Sequence, residues 1–218
     1  MPYLQAMTAS RKTSLTAGIL YLLTFISIPT LSLYHEIHQP NFILSSAPSN
    51  DVVLGGILEI LMALACIGTA LVFYPVLKKQ NESVALGFVA ARILEATLIF
   101  AGVASLLTVL SLRQVGAEAQ VMARGFVLLY DRLFLISQSF IPAVNGLLLG
   151  SLLYQSRLVP RILPIIGICG AFTLVAGDVA VLYGFIDQRA PLAGLSAVPI
   201  ALWEFSLGLY LVVKGIKE

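Results

Sequence analysis

The stretch GFVAARILEATLIFAG, residues 87–102, is made almost entirely of apolar and small residues, yet it carries the charged residues Arg92 and Glu95. These two lie three positions apart, so on a helix they share a face and can form an ion pair. An ionisable group inside a bilayer is costly and usually has a partner or a function. The stretch therefore predicts a membrane-spanning helix that contributes charged groups to an interior site.

The composition of the whole chain is that of a membrane protein. Of 218 residues, 59% are hydrophobic and 11% are charged, whereas about 25% of the residues in a soluble domain are charged. The apolar residues form continuous blocks of roughly the 20 residues that a spanning helix needs. A β-barrel would instead show short segments of alternating polarity. We therefore predict an all-α fold, a single integral domain over residues 1–218.

Six blocks of apolar sequence predict a six-helix transmembrane bundle. Basic residues are more frequent in the predicted inner segments than in the outer ones, which predicts that both termini are cytoplasmic. Pro29 is expected to kink or end the first span. The first block is longer than a signal-peptide core and lacks a small-residue cleavage site, so we expect an uncleaved helix. The predicted spans are about 14–33, 52–75, 84–110, 125–152, 162–184 and 195–213.

The predicted spans contain seven charged residues, five acids and two arginines: Glu59, Arg92, Glu95, Asp131, Arg132, Asp178 and Glu204. Pairing both arginines leaves three carboxylates without a basic partner, and these need a proton, a cation, water or hydrogen-bond donors. Arg92 is expected to pair with Glu95 or with an acid on a neighbouring helix. Asp131 and Arg132 lie toward the outer end, where a shift of one helical turn would place them among lipid headgroups. We therefore predict an interior polar site built from Glu59, Arg92, Glu95, Asp178 and Glu204.

Two interpretations of this site are open. The charges can form a structural ion-pair network that fixes helix register, or they can line a solvated cavity that binds a ligand. The leading functional hypothesis is a small transport or sensing protein that binds a proton, a cation or a cationic small molecule. A non-catalytic membrane scaffold or partner subunit is the alternative, and an intramembrane enzyme is the third.

Small residues mark places where helices can approach closely. Gly146 and Gly150 form a GxxxG pattern that is typical either of a homo-oligomer contact or of packing within one bundle, and we favour packing within the bundle. Glu59 and Asp178 lie on the second helix of each half of the chain, but this indication of an inverted repeat is weak.

Motifs for catalysis and cofactor binding are missing from the sequence. The stretch YHEIH, residues 34–38, is one residue short of the H-E-x-x-H zinc motif. No Walker loop, G-x-S-x-G elbow or dinucleotide glycine pattern occurs. We therefore predict no catalytic residue, metal or cofactor, and the net charge of +2 gives no reason to expect nucleic-acid binding.

Four stretches carry a family resemblance: RKTSLTAGILYLLTF, PVLKKQNESVALGFVAARILEA, GLLLGSLLYQSRLVPRILPIIGICGA and LWEFSLGLYLVVKGI. Over about residues 11–216 the chain resembles the bacterial membrane proteins grouped as domain of unknown function 4386 (DUF4386). The most specific part is the Y-x-S-x-x-V-P-R turn at residues 154–161. The resemblance implies a multi-span protein of the bacterial cytoplasmic membrane, and it implies no substrate or catalytic residue.

Overall fold

The computed structural model describes residues 8–217, and this part of the chain is helical with no β-strand. The α-helices are α1 (Ala9–Leu23), α2 (Thr30–Leu33), α3 (Asn50–Leu77), α4 (Glu82–Leu112), α5 (Gln120–Leu135), α6 (Ile141–Ser156), α7 (Ile162–Leu182) and α8 (Pro191–Val213). They form six segments long and apolar enough to cross a membrane, which confirms the six-helix prediction.

Two of the six segments are not continuous α-helices. The first, Ala9–Leu33, joins α1 to α2 through a 3-10 turn at Thr24–Ser27, and Pro29 precedes α2. The fourth, Gly116–Ser156, joins α5 to α6 through one turn of π-helix at Ile136–Phe140. The fourth segment therefore begins earlier than the predicted span of about 125–152, because residues 116–124 are already helical. Ala119 and Ala123 are buried in the cluster that includes Phe42, so tertiary packing extends this helix beyond its most apolar residues.

The helices pack as a closed ring. Helix α1 lies between α3 and α8, α3 packs on α4, α4 packs on α5 and α6, and α7 lies between α6 and α8. The interior is filled by large side chains such as Tyr21, Phe73 and Trp203, each fully buried, whereas Leu64 and Phe172 are exposed on the outer surface. In a bilayer such outward apolar side chains face lipid, so the ring interior is the place where polar groups can be kept away from hydrocarbon.

Glycines allow the closest helix contacts inside the ring. A Cβ atom on Gly170 of α7 would lie 2.7 Å from the backbone nitrogen of Ile200 on α8, a separation that no side chain can occupy. Gly146 and Gly150 of the GxxxG pattern also pack against helices of the same bundle. Cβ atoms on these glycines would lie 2.7 Å from Ile200 Cδ1 and 2.9 Å from Ile168 Cγ1, respectively. Both glycines are buried.

The two ends of the bundle are built differently. At one end, Arg11 donates to the carbonyl of Leu211 at 3.0 Å, and the amide of Lys217 donates to the carbonyl of Leu158 at 2.8 Å. We call this the terminal end, because it holds both described ends of the chain. The prediction that this end faces the cytoplasm stays a prediction.

At the opposite end, which we call the loop end, residues 34–49 cover the bundle. This segment contains 3-10 turns at Glu36–His38 and Phe42–Leu44, with Phe42 buried. Arg113, at the end of α4, donates to the carbonyl of Ala47 at 2.8 Å and lies over the Phe42 ring. The segment is therefore attached to the bundle by both apolar packing and hydrogen bonds.

Arg157 ends α6 in a left-handed conformation, with φ 56°. This conformation costs a residue other than glycine about 1 kcal/mol. We therefore expect Arg157→Gly to raise the free energy of unfolding by about 1 kcal/mol, as measured by denaturation in mixed detergent micelles. Arg157→Ala is the control, since it removes the same charge but keeps the strain. An equal gain in both variants would mean that the charge, and not the backbone, is responsible.

Candidate functional site

The structure places the five predicted site residues in three hydrogen-bonded groups. Arg92, Glu95 and Glu204 form one group, while Glu59 and Asp178 each have their own donors. The charged residues therefore share the interior of one bundle, but the structure does not bring all five into contact.

Arg92 is the centre of the first group. One guanidinium nitrogen, Nη1, donates to Glu95 Oε2 at 3.0 Å, and the other, Nη2, donates to Glu204 Oε1 at 3.0 Å. Helical spacing on α4 produces the first contact, and packing of α8 against α1 brings Glu204 to the second. Only 2% of the Arg92 side chain is exposed. The arginine thus pairs both with its own helix and with a distant one.

Uncharged side chains complete this first group. Asn145 on α6 donates to Glu95 Oε2 at 2.7 Å, and Arg92 donates to the hydroxyl of Tyr21 on α1 at 3.3 Å. Cys66 on α3 accepts from Arg92 at 3.5 Å. Five helices are therefore joined through one guanidinium and its partners. We call this group, with Tyr21, Cys66, Arg92, Glu95, Asn145 and Glu204, the arginine network.

Glu59 on α3 is fully buried and accepts three hydrogen bonds from neutral groups. Its donors are the hydroxyl of Tyr130 at 2.7 Å, the amide of Gln138 at 3.0 Å and the hydroxyl of Tyr34 at 3.3 Å. Gly55, one turn away on α3, leaves room for the Tyr34 ring, which a Cβ there would meet at 2.4 Å. Burial and the neighbouring Glu59 carboxyl raise the pKa of Tyr34, so its hydroxyl keeps its proton and can donate.

Asp178 on α7 is 3% exposed and has one donor, the hydroxyl of Ser139. Its second carboxylate oxygen, Oδ2, is buried and has no hydrogen-bond partner within residues 8–217. Ser139 lies in the π turn directly after Gln138, the donor to Glu59. This turn therefore directs two consecutive side chains to two different buried acids, and π turns are frequent at functional sites.

A cavity of about 800 Å³ lies at the loop end of the bundle, with Asp178 on its wall. Its wall is formed by residues of α2, α5, the π turn, α7 and the first turns of α8, together with residues 34–39 and 188–190 of two loops. Polar groups on its wall include Tyr34, His38, Gln138, Ser139, Asp178 and Ser196, and apolar ones include Leu31, Phe134 and Val181. A mostly apolar space with a few converging polar groups is typical of a small-molecule site.

Comparison with known families identifies the chain. A family model described as "Domain of unknown function (DUF4386)" matches residues 16–215. The chain belongs to this family. No curated protein and no solved structure matches it. This DUF4386 member is therefore a multi-pass membrane protein whose family description assigns no activity.

The rim of the cavity in this DUF4386 protein carries an ion pair between Asp131 and Arg189 that was not predicted from the sequence. Asp131 on α5 accepts from Arg189 Nη2 at 2.8 Å and contacts His38 Nε2 at 3.1 Å. Arg132 points elsewhere, is exposed and donates to Gln188 at 3.4 Å. Asp131 is thus paired with a loop arginine, and its depth relative to lipid headgroups stays a prediction.

Several residues that contact the predicted site residues were not predicted from the sequence. They are neutral hydrogen-bonding groups, which hydropathy does not distinguish from ordinary helix residues: Tyr21, Tyr34, Cys66, Tyr130, Gln138, Ser139 and Asn145. The segment ISQSF, residues 136–140, carries the one signal that could have found two of them, since it places three polar residues together inside an apolar run.

The structure gives no support for a protein-bound metal in the described region. Within residues 8–217, no group of three or more His, Cys, Asp or Glu side chains is arranged to hold a metal ion. The histidines of the YHEIH stretch instead contact Gln39 and Asp131.

Proposed function

We propose that this DUF4386 protein binds a small organic cation in the 800 Å³ cavity, with Asp178 as the counter-ion. The observation that carries this proposal is the environment of the Asp178 carboxylate. It borders the cavity, it is 3% exposed, and its Oδ2 has no hydrogen-bond partner among residues 8–217. A carboxylate in such surroundings needs a cation or a proton.

The charges around the cavity favour a cationic ligand. Arg189 is the arginine on the cavity wall, and it is already paired with Asp131 at the rim. Among residues 8–217 no basic side chain pairs with Asp178, so an ionised Asp178 leaves an uncompensated negative charge on the wall. The apolar side chains of Leu31, Phe134 and Val181 on the cavity wall suit an apolar body. These features together favour an amine or quaternary ammonium compound that carries a hydrocarbon group.

For the arginine network we propose a structural role. Arg92 contacts both Glu95 and Glu204, and none of the three borders the cavity. Counted along its helix, Arg92 lies about 15 Å from the terminal end, whereas Asp178 lies about 24 Å from it. The network therefore lies deeper in the bundle than the cavity and joins the helices on that side.

The orientation of the protein determines the side of the membrane from which a ligand reaches the cavity. With both termini in the cytoplasm of a bacterial cell, as the basic residues favour, the loop end faces outward. We propose that the ligand enters from outside the cytoplasmic membrane. In a sensor, this cavity would be the ligand-binding site. In a transporter, the same structure would be the outward-open state.

The experiment uses benzyltrimethylammonium as the probe and benzyl alcohol as an uncharged aromatic comparison. A ligand that binds only the folded protein raises its stability by about 2.7 kcal/mol at a concentration of 100 Kd. We expect the cation, and not the alcohol, to raise the Tm of the purified full chain in detergent. Asp178→Asn is expected to weaken binding by at least about tenfold, measured by isothermal titration.

Glu118→Gln is the matched control, because Glu118 is an exposed acid on the 3-10 turn before α5 and does not border the cavity. It should bind the probe as the unmodified chain does. Equal stabilisation by benzyl alcohol, or unchanged binding by Asp178→Asn, would contradict the proposal that Asp178 acts as a counter-ion.

A further inference from the structure

Glu59 differs from Glu95 in the kind of partners it has, and it has more donors than Asp178, which accepts from Ser139 alone. All three of its donors are neutral, and within residues 8–217 no arginine, lysine or histidine contacts its carboxyl group. A structural carboxylate is usually held by a basic side chain, as Glu95 is held by Arg92. The shell of Glu59 therefore needs an explanation other than ion pairing.

The donors around Glu59 can serve either protonation state. A tyrosine hydroxyl can rotate to accept a hydrogen bond, and a glutamine amide carries both a donor and an acceptor. Tyr34, Tyr130 and Gln138 can thus donate to an ionised Glu59 or accept from a protonated one without movement of any helix. Such a shell is suited to a group that takes up and releases a proton.

The same shell is part of the cavity wall. Tyr34 and Gln138 contact Glu59 and also border the cavity. Gln138 is followed by Ser139, which donates to Asp178, so consecutive residues of one π turn connect Glu59 on α3 to Asp178 on α7. A charge in the cavity is therefore separated from Glu59 by one layer of side chains.

We infer that Glu59 is a proton-binding site coupled to the cation site, so that cation binding in the cavity releases the proton from Glu59. This inference rests on the proposed function. A positive charge close to a carboxyl group favours its ionised form, and by linkage ionised Glu59 strengthens cation binding by the same factor. The O–H bond of Glu59 breaks, the proton leaves to solvent, and the positive charge of the cation replaces that of the proton.

Other charged or titratable groups also lie around Glu59, and each has its own contacts. Tyr34 from the loop and Tyr130 from α5 donate to it, and His38 lies beside the Tyr130 ring. His38 and Arg189 both contact Asp131 at the rim, while Asp178 lies across the cavity. Proton release must therefore be assigned to Glu59 by substitution.

The first test measures the proton itself without any ligand. Infrared spectroscopy of the full chain should show the carbonyl-stretch band of a protonated carboxylic acid, and this band should decrease as the pH rises. In Glu59→Gln we expect that band to be missing. A spectrum of Glu59→Gln that retains every titrating carboxylic acid band would overturn the inference, whether or not the protein binds cations.

The second test measures coupling with benzyltrimethylammonium, which has no proton of its own to lose. Where binding releases one proton, the apparent Kd falls by about tenfold for each unit of pH increase. We expect the Kd of the unmodified chain to depend on pH with a slope of up to about tenfold per unit. In Glu59→Gln this slope should be lost, whereas Asp178→Asn should weaken binding itself. Equal pH slopes in the unmodified chain and Glu59→Gln would overturn the coupling but leave the cation site standing.

Tyr130→Phe provides a second variant in case Glu59→Gln does not fold. It keeps the ring and removes the 2.7 Å donor to the ionised form of Glu59. The infrared band should then persist to higher pH than in the unmodified chain. A band that titrates at the same pH in both proteins would contradict the role of Glu59. Absence of probe binding to the unmodified chain would instead contradict the proposed function, and the coupling with it.

Discussion

Arg92→Met is expected to lower the free energy of unfolding by about 3–5 kcal/mol, because removal of one partner of a buried ion pair leaves the other charge uncompensated. Glu95 would keep only Asn145 and the Cys66 thiol as donors, and Glu204 would lose the guanidinium that it accepts from. Denaturation of the purified protein in mixed detergent micelles measures the change.

Two variants make this result specific to the network. Arg124→Met removes an exposed arginine of α5 and should change stability by no more than about 0.5 kcal/mol. The combination of Arg92→Met with Glu95→Gln and Glu204→Gln removes the uncompensated charges and should recover part of the loss. If the combined variant is as unstable as Arg92→Met alone, the loss comes from side-chain packing rather than from buried charge.

Gly170→Ala is expected to destabilise the bundle by about 1–3 kcal/mol, the range for overpacking in a close-packed interior. The added Cβ would lie 2.7 Å from the backbone nitrogen of Ile200 and 3.0 Å from its Cα atom. These are backbone atoms, which cannot turn away as a side chain can, so α7 and α8 must separate. The same unfolding measurement applies, together with size-exclusion chromatography to detect aggregation.

Gly125→Ala is the matched control for this substitution. Gly125 also lies inside a helix, α5, but a Cβ there would have no neighbour within 4 Å. The variant should be more stable by about 0.5–1 kcal/mol, because alanine is the better helix former. Destabilisation in both variants to the same extent would mean that helix contacts at Gly170 are not the cause.

Local features of the site were predictable from the sequence. The contact between Arg92 and Glu95 follows from their spacing on one helix and was expected. The sequence predicted that Arg92 could pair with an acid on a neighbouring helix, but it did not identify Glu204 as that acid, because the two residues are far apart in the chain. Neither the donors of Glu59 nor the single donor of Asp178 was foreseen, because no pattern in the sequence shows which residues of different helices meet.

The amino-acid sequence was enough to predict six apolar segments that can span a membrane and the charged groups inside them. It could do so because the thickness of a bilayer fixes the length of each apolar segment, and because hydrocarbon leaves the backbone no alternative to helices. Tertiary packing is what joins Arg92, Glu95 and Glu204 in a network, puts Asp178 on the cavity wall and leaves Glu59 one layer of side chains away from it. That outcome depends on the rotation and depth of each helix, which are set by contacts such as Gly170 against Ile200 and by one π turn that directs Gln138 and Ser139 to different acids.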